Sequence, residues 1–477
     1  MSFQYHSISS ELETLLNDLE SENQSSCPIT VQSRLHHIRK KGNLLFGLLR
    51  GVSGTLIQVI VFKKKNLEAF TQLRHCPRES IVRVSGQFRK SPFKIETTGN
   101  YFEIEAEEVV VVSRASEEEM PPIQVEDLNQ MGQGSLEERK GRPEVSLVHR
   151  LNHRFLDLRS NANKAIFRVR TNLEMLVREF LIKRNFIEIH TPKLISCPSE
   201  SGASVFSVDY FDQTAYLAQS PQLYKQMMIN SDFGKVFEIG AVYRAERSFG
   251  HRHLCEFMGL DLEMELKPWN EDQEVGYHQV FETVGEMLHW ITTQLENRCS
   301  TELSVLSSYY LGSRPVIPHR IPVISFAQGV KWLNEEGFSQ KEGDDLNTEA
   351  ERTLGEIVRQ RLGVEIFFLD KYPTNLRPFY TMEDGEGVTR SYDLILRGQE
   401  IASGAQRIND YQQLVENIRK HGLTEKHYQD YLNSFKYGSS PHAGLGIGLE
   451  RLVALYLNIP DVHLTTLFPR DPHRLNP

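Results

Sequence analysis

Between residues 29 and 113 the chain breaks into short apolar runs, ITVQSRLHHI, NLLFGLLRG, TLIQVIVF, SIVRVSGQF and YFEIEAEEVVVVS, separated by Gly, Pro and Lys turns. Runs of strand length bounded in this way predict a small β-barrel or sandwich. The next stretch, 114 to 150, is acidic and rich in Pro and Gly, and reads as a linker and hinge. Residues 1 to 28 form an N-terminal extension. Within it SSELETLLNDLE, 9 to 20, has serines suited to an N-cap, acids in the first turn and leucines at helical spacing, which predicts one short helix.

From 151 to 477 the pattern is mixed. The segment around NKAIFRVRTNLEMLVREFLIKRNFIEIHTP begins as a long amphipathic helix and ends in a strand closed by Pro192. Further helices are expected at 271 to 297 and 347 to 361. Strands are expected around 238 to 265, in SYDLILRGQEIASGAQRI, and in GLGIGLER, where a glycine-rich strand runs into a helix. Strand runs with helices beside them predict an α+β domain around an antiparallel sheet.

A chain of 477 residues is too long for one ordinary core, so two or three domains are expected. Its 39% hydrophobic and 25% charged residues are those of a folded chain, with no window of membrane-span length. The acidic start does not read as a signal or transit peptide, so the expected location is cytoplasmic. Cys27, Cys76, Cys197, Cys255 and Cys299 are far apart and lack metal-ligand spacing, which points to reduced thiols. The net charge of −9 argues against nucleic acid, yet HHIRKKG, FKKK and QFRKSPFK cluster cations in the N-terminal β-rich segment. There is no Walker A loop and no dinucleotide-binding GxGxxG.

The segment VYRAERSFGHRHLCEF, 242 to 257, crowds Arg244, Glu246, Arg247, His251, Arg252, His253 and Glu256 together. Read as a hairpin, its alternation puts Arg244 and Glu246 on one face, and Phe257, Gly259 and Asp261 on one face. Such a hairpin can clamp a polyanion with loop cations and stack a base on Phe257, worth about 1 to 3 kcal/mol. Taken alone, it reads more readily as a solvated edge hairpin with cross-strand ion pairs. Arg451 in GLGIGLER, with Asp393 and Glu400 in SYDLILRGQE, adds two carboxylates and a further arginine. That set suits a nucleoside triphosphate with Mg²⁺.

These segments carry a family resemblance. FIEIHTPKL, VYRAERSFGHRHLCEF and AGLGIGLERLV resemble, in order, the three motifs of the class II aminoacyl-tRNA synthetases. RGQEIASGAQRI and LFPRDPHRLNP resemble the aspartyl branch of the eukaryotic and archaeal type. The chain departs from that pattern at Asn409, where the family usually has histidine, at Ser440, where a second proline is usual, and in the loop RSFGHRH. The resemblance implies an OB-fold anticodon-binding barrel at 29 to 113 and a class II catalytic domain at 151 to 477. It also implies a homodimer built on the first motif, and no membrane association.

The resemblance further implies ATP-dependent attachment of L-aspartate to tRNA(Asp) through an aspartyl-adenylate. Arg244 and Arg451 would act directly on the reacting phosphates. Glu246, Arg252, His253, Leu254, Phe257, Glu400 and Gly448 would complete the ATP site, the loop cations and His253 holding the outer phosphates. Asp393 and Glu400 would bind Mg²⁺. Glu200, Gln222, Lys225, Asp261, Ser403 and Arg407 would bind aspartate, Glu200 from a mobile loop that includes Ser201 and Gly202. Arg39, Phe46 and Gln58 would contact the anticodon. Rival readings are an asparaginyl or non-discriminating synthetase, a related ligase with a small acceptor, and an inactive RNA-binding paralogue. The last would have lost Arg244, Glu400 or Arg451, and all three are present.

Overall fold

Ser26–Lys41 forms one strand of 16 residues, β2, whose alternating Ile29, Val31 and Leu35 are fully buried. A register shift between Leu35 and His37 bends it, so its two halves pair with different neighbours. With β1 (Gln4–His6), β3 (Leu44–Arg50), β4 (Leu56–Phe62), β5 (Ile81–Lys90) and β6 (Phe102–Ser113) it makes a sheet of order β1-β2-β3-β4-β6-β5. Pairing of β2 with β5 closes the last five strands into a barrel, and β1 lies parallel to β2 outside it. Between β4 and β5, helix α1 (Leu67–Arg74) is capped by the Asn66 side chain and packs Phe70 and Leu73 against the barrel core. Closure removes the exposed edges that a short open sheet would carry. At the turn before β5, Glu79 has a left-handed φ of 69° and ion-pairs with Arg50 and Arg159, each at 2.7 Å.

The computed structural model describes residues 4–6, 26–52, 54–116, 118, 122–131, 145–200, 204–248, 250–267 and 276–476. The helix expected over 9 to 20 lies outside them, as do Ser201 and Gly202. The chain forms two compact units. One is Met1–Gln130 with Pro143–Ser146 and Phe155–Lys164; the other is Met131–Arg142, Leu147–Arg154 and Ala165–Pro477. The stretch expected to be linker holds a short helix, Val125–Gln130, because Val125 and Leu128 find buried sites.

The second unit contains an eight-stranded sheet of order β13-β14-β15-β16-β17-β12-β11-β7. Its strands are β7 (Ile187–Glu188), β11 (Lys235–Tyr243), β12 (Glu256–Glu265), β13 (Val323–Ser325), β14 (Ile366–Asp370), β15 (Ser391–Leu396), β16 (Gln399–Gln406) and β17 (His442–Gly448). Pairing is antiparallel through the centre, as expected, and parallel at both edges, β13 with β14 and β7 with β11. A smaller sheet joins β8 (Leu194–Ile195), β10 (Gln213–Leu217) and β9 (Ser207–Tyr210). Helix α2 (Asn161–Lys183) is the long amphipathic helix, and α3 (Gln222–Ile229) follows the small sheet. Helix α4 (His278–Arg298) starts later than the expected 271, and 268–275 lie outside the described residues. Helix α5 (Thr348–Leu362) matches expectation, capped by Asn347 and ended by Gly363 at φ 69°. Helix α6 (Leu449–Tyr456) leaves β17 directly.

Strand alternation divides the central sheet into two faces. Leu260 and Leu262 of β12, Leu445 and Ile447 of β17 and Ala402 of β16 join the core under α2 and α4. Their neighbours Asp261, Glu263, Gly444, Gly446 and Ser403 turn to the opposite face. Two expectations are corrected here. The strand carrying Arg244 and Glu246 ends at Tyr243, so both residues lie in the loop. SYDLILRGQEIASGAQRI is a hairpin, not one strand, because Arg397 and Gly398 both take positive φ, 51° and 68°, as a tight turn of the primed type requires.

Candidate active site

The polar face of the sheet forms the floor of a cavity of about 380 Å³. Room for it comes from β17. A side chain at Gly444 would collide with the Leu262 carbonyl and the Glu263 carboxylate, and one at Gly446 would lie 2.9 Å from Asp261 Oδ1. The glycines opposite Glu263 and Asp261 in the strand register therefore make space for those acids.

One end of the cavity is lined by the loop after β11 and the start of β12. Arg244, Glu246, Arg252, His253, Leu254 and Phe257 all border it, with Gly448 and Arg451 opposite. The Arg244 guanidinium carbon lies 5.5 Å from the Phe257 ring centre, and Nη1 is 3.8 Å from Glu246. Arg451 donates to the backbone carbonyls of Glu400 and Arg252, at 2.5 and 3.1 Å, and so ties the loop to β16. Arg252 itself donates to Glu351 Oε2 and Thr348 Oγ1 on α5. His253 departs from the reading of a cationic loop. Burial, then the Arg451 charge, hold its imidazole below the ordinary value, so it is a neutral hydrogen-bonding group at neutral pH.

The other end is a buried ionic network. Lys225 on α3 donates to Asp261 Oδ1 at 3.0 Å and lies 3.4 Å from Glu263. Arg407 engages both oxygens of Glu263, at 3.0 and 3.2 Å, and the Gly444 carbonyl at 3.0 Å. Its Nη1 makes no hydrogen bond among the described residues. Burial would raise the Glu263 carboxyl, but Arg407 and Lys225 together hold it below the usual carboxylate range. Gln222 donates to Gln226, and Gln226 bonds His442. Glu200 receives hydrogen bonds from Ser220 at 2.5 Å and from Tyr380 at 2.6 Å. Glu263, Gln226, His442 and Tyr380 were not singled out from the sequence. Glu263 had a signal, since it continues the alternation Phe257, Gly259, Asp261; the others did not. The departures at Asn409 and Ser440 fall close together: Asn409 donates to the Ser439 carbonyl, and the Ser440 carbonyl contacts His442.

Asp393 and Glu400 are brought together by an irregularity. A register shift between Leu394 and Ile395 sets Glu400 opposite Ile395, and Glu400 then lines the cavity beside Ile401. Burial, and next the Asp393 carboxylate, push the Glu400 carboxyl up to about 7. Asp393 Oδ1 is buried without a hydrogen-bond partner. Two crowded carboxylates with an orphaned oxygen are what a hard cation would relieve, so the residues fit Mg²⁺. Among the described residues no group of three or more His, Cys, Asp or Glu could hold a metal alone. Oxygens from water or a bound phosphate would complete the shell. Asp393 Oδ2 is held by Arg377 at 2.8 Å.

In the barrel unit, Arg39, Phe46 and Gln58 share its outer face. Arg39 is the cross-strand partner of Phe46, with its guanidinium carbon 5.4 Å from the ring centre. Gln58 is paired across β4 and β6 with Glu103 and donates to its Oε2 at 2.9 Å. Glu103 is buried and also held by Arg89 at 3.1 Å.

Residues 146–472 match tRNA synthetases class II (D, K and N), and residues 29–112 match the OB-fold nucleic acid binding domain. The chain is 40% identical over 461 residues to aspartate–tRNA ligase 1, cytoplasmic, of Arabidopsis thaliana, covering 94% of this chain and 84% of that protein. It is also 40% identical over 460 residues to the cytoplasmic aspartate–tRNA ligase of Homo sapiens, covering 94% and 88%. Among solved structures, aspartyl tRNA synthetase from Entamoeba histolytica aligns with a TM-score of 0.84 at 36% identity, over 100% of this chain and 93% of that one. Asparaginyl-tRNA synthetase from Pyrococcus horikoshii, complexed with asparaginyl-adenylate, aligns with a TM-score of 0.81 at 29% identity, over 95% and 97%. The site geometry, the two family matches and the near full-length relatives agree that this chain belongs to the class II tRNA synthetases of the D, K and N group.

Proposed function

We propose that the chain is an aspartate–tRNA ligase, which joins L-aspartate to tRNA(Asp) through an aspartyl-adenylate and releases AMP and pyrophosphate. The observation that carries this reading is one cavity with Arg244, Arg252, Arg451 and Phe257 at one end and the buried Lys225–Asp261 and Arg407–Glu263 pairs near the other. Phe257 gives adenine a stacking face, Arg451 covers the other side, and Arg244 stands where the α-phosphate would lie. No enzyme nucleophile is needed, because the carboxylate of aspartate attacks the α-phosphorus. Holding the two reactants in line, and stabilising charge as it develops, supplies the rate. Arg252 and His253 take the outer phosphates, with Glu246, Leu254 and Gly448 shaping the nucleotide site. Mg²⁺, held by Asp393 and Glu400 with phosphate oxygens, would neutralise charge on the leaving pyrophosphate.

Lys225 and Arg407 face the substrate side chain, while Asp261, Gln222, Ser403 and Glu200 take its ammonium and carboxylate ends. Asparagine would leave those buried donors unmatched, and polar sites of this kind reject the wrong ligand by about 10⁴-fold. On the barrel, Phe46 stacks an anticodon base, Gln58 and the Glu103 it bonds offer donors and acceptors to base edges, and Arg39 adds a cation. We also propose a homodimer: Met175 and Ile182 of α2 and Ile187 of the edge strand β7 leave large apolar side chains exposed. No described helix is long and apolar enough to cross a membrane, and relatives named cytoplasmic support a cytoplasmic location.

Charging of a tRNA(Asp) transcript with labelled aspartate tests the reading. Efficient charging with aspartate and Mg–ATP is expected; charging only with asparagine would contradict it.

A further inference from the structure

Arg377 belongs to no strand. It follows the single turn Thr374–Leu376 and lines the cavity. Its guanidinium carbon lies 3.7 Å from the Tyr372 ring centre, Nη2 donates to Asp393 Oδ2 at 2.8 Å, and Nη1 donates to Ser403 Oγ at 3.0 Å. The side chains of both members of the ion pair are nearly buried, at 11% and 9% exposure, so solvent screens the pair little. Glu400 has no ion pair among the described residues, and Asp393 Oδ1 has no partner. One carboxylate of the pair is therefore neutralised by a fixed cation, and only one of its oxygens is open.

We propose that Arg377 is an internal counter-cation that keeps a divalent metal off Asp393 and Glu400 until a nucleoside triphosphate arrives. The inference rests on the metal reading given above. A divalent ion approaching Asp393 Oδ1 comes within a few ångströms of a guanidinium already bound to the same carboxylate. It gains one oxygen there and the Glu400 carboxylate, with water left to fill the rest of its shell, which does little to offset the nearby guanidinium. A triphosphate brings both the missing oxygens and enough negative charge to outweigh the guanidinium, so metal and nucleotide enter together. Arg377 acts through Asp393 and is a positioning residue.

The test uses the full chain and Mn²⁺ as the probe, with free Mn²⁺ read by electron paramagnetic resonance. Without nucleotide, Arg377→Gln is expected to bind Mn²⁺ about tenfold to a hundredfold more tightly than wild type, the usual reach of residues behind a metal ligand. Arg377→Gln with Asp393→Asn is expected to lose that gain. A folded Arg377→Gln protein that binds Mn²⁺ no more tightly than wild type overturns the proposal. Should that variant fail to fold, Arg377→Met, which removes the charge and keeps an unbranched stem, takes its place with the same expected gain; no gain overturns the proposal. The metal reading is checked apart from this. If wild type with ATP retains Mn²⁺ no better than Asp393→Asn or Glu400→Gln with ATP, that reading fails and this inference with it.

Discussion

Arg407 and Glu263 meet in a two-pronged ion pair at 3.0 and 3.2 Å, with side chains 4% and 0% exposed. Glu263 holds the Arg407 fork through Nε and Nη2, and its Oε2 also lies 3.4 Å from Lys225. Glu263→Gln should therefore raise KM for aspartate by about a hundredfold or more, in line with the 3 to 5 kcal/mol typical of breaking a buried pair. The KM for ATP should change far less, and pyrophosphate exchange with each substrate varied in turn reads the difference.

The same residue gives a pH prediction. The Glu263 carboxyl is held below its unfolded value by Arg407 and Lys225 against the cost of burial. A depressed folded value contributes stability that is present above the unfolded carboxylate range and lost as pH falls through the folded one. Wild-type stability should thus fall below about pH 4.5, and Glu263→Gln should show a shallower acid limb. Urea unfolding between pH 3 and 6 would measure both slopes, and parallel slopes would speak against this role.

Gly444→Ala should cost both activity and stability, because its methyl would meet the Leu262 carbonyl and the Glu263 carboxylate. Overpacking of this kind costs about 1 to 3 kcal/mol or more, which a thermal melt resolves. Gly363→Ala, at the end of α5 where nothing lies within 4 Å, should cost only the strain of its left-handed backbone and leave aspartate activation unchanged.

Phe46→Ala should reduce tRNA charging by roughly tenfold to a hundredfold, the equivalent of about 1 to 3 kcal/mol of base stacking. Pyrophosphate exchange without tRNA should be unchanged, since Phe46 is not among the residues bordering the cavity. A parallel loss in both assays would show a folding defect in place of lost recognition.

Ile182→Glu, on the exposed face of α2, should convert a dimer to a 55.0 kDa monomer by light scattering. A wild-type chain already monomeric at micromolar concentration would count against the proposed interface.

Much of this site was legible because its chemistry is written in strand alternation. Phe257, Gly259 and Asp261 are spaced by two, and so are Gly444, Gly446 and Gly448, which places each set along one face of its own strand. Glu263 lies one step further along the same strand and was available to the same reasoning. Glu400 follows a different logic, because a register shift between Leu394 and Ile395 sets where it faces, and irregularities of pairing leave no periodic trace. Arg377 and Tyr380 reach the cavity from a loop, and Glu351 of α5 holds the cavity-lining Arg252, through tertiary packing alone. In α5 that packing depends on Gly355, whose missing side chain lets the helix touch Gly398 in the β15–β16 turn. The turn at Arg397 and Gly398 was misread as strand because only one glycine interrupts a strand-like run there, and the positive φ of both residues is what sets the turn apart.

The most direct test is aspartate-dependent exchange of labelled pyrophosphate into ATP, run beside asparagine and glutamate in the absence of tRNA. The account predicts strong exchange with aspartate and near-background exchange with the other two, with Lys225→Met and Arg407→Leu nearly abolishing it in folded protein. Equal exchange with asparagine, or normal exchange in either variant, would contradict the assignment of this cavity to aspartate.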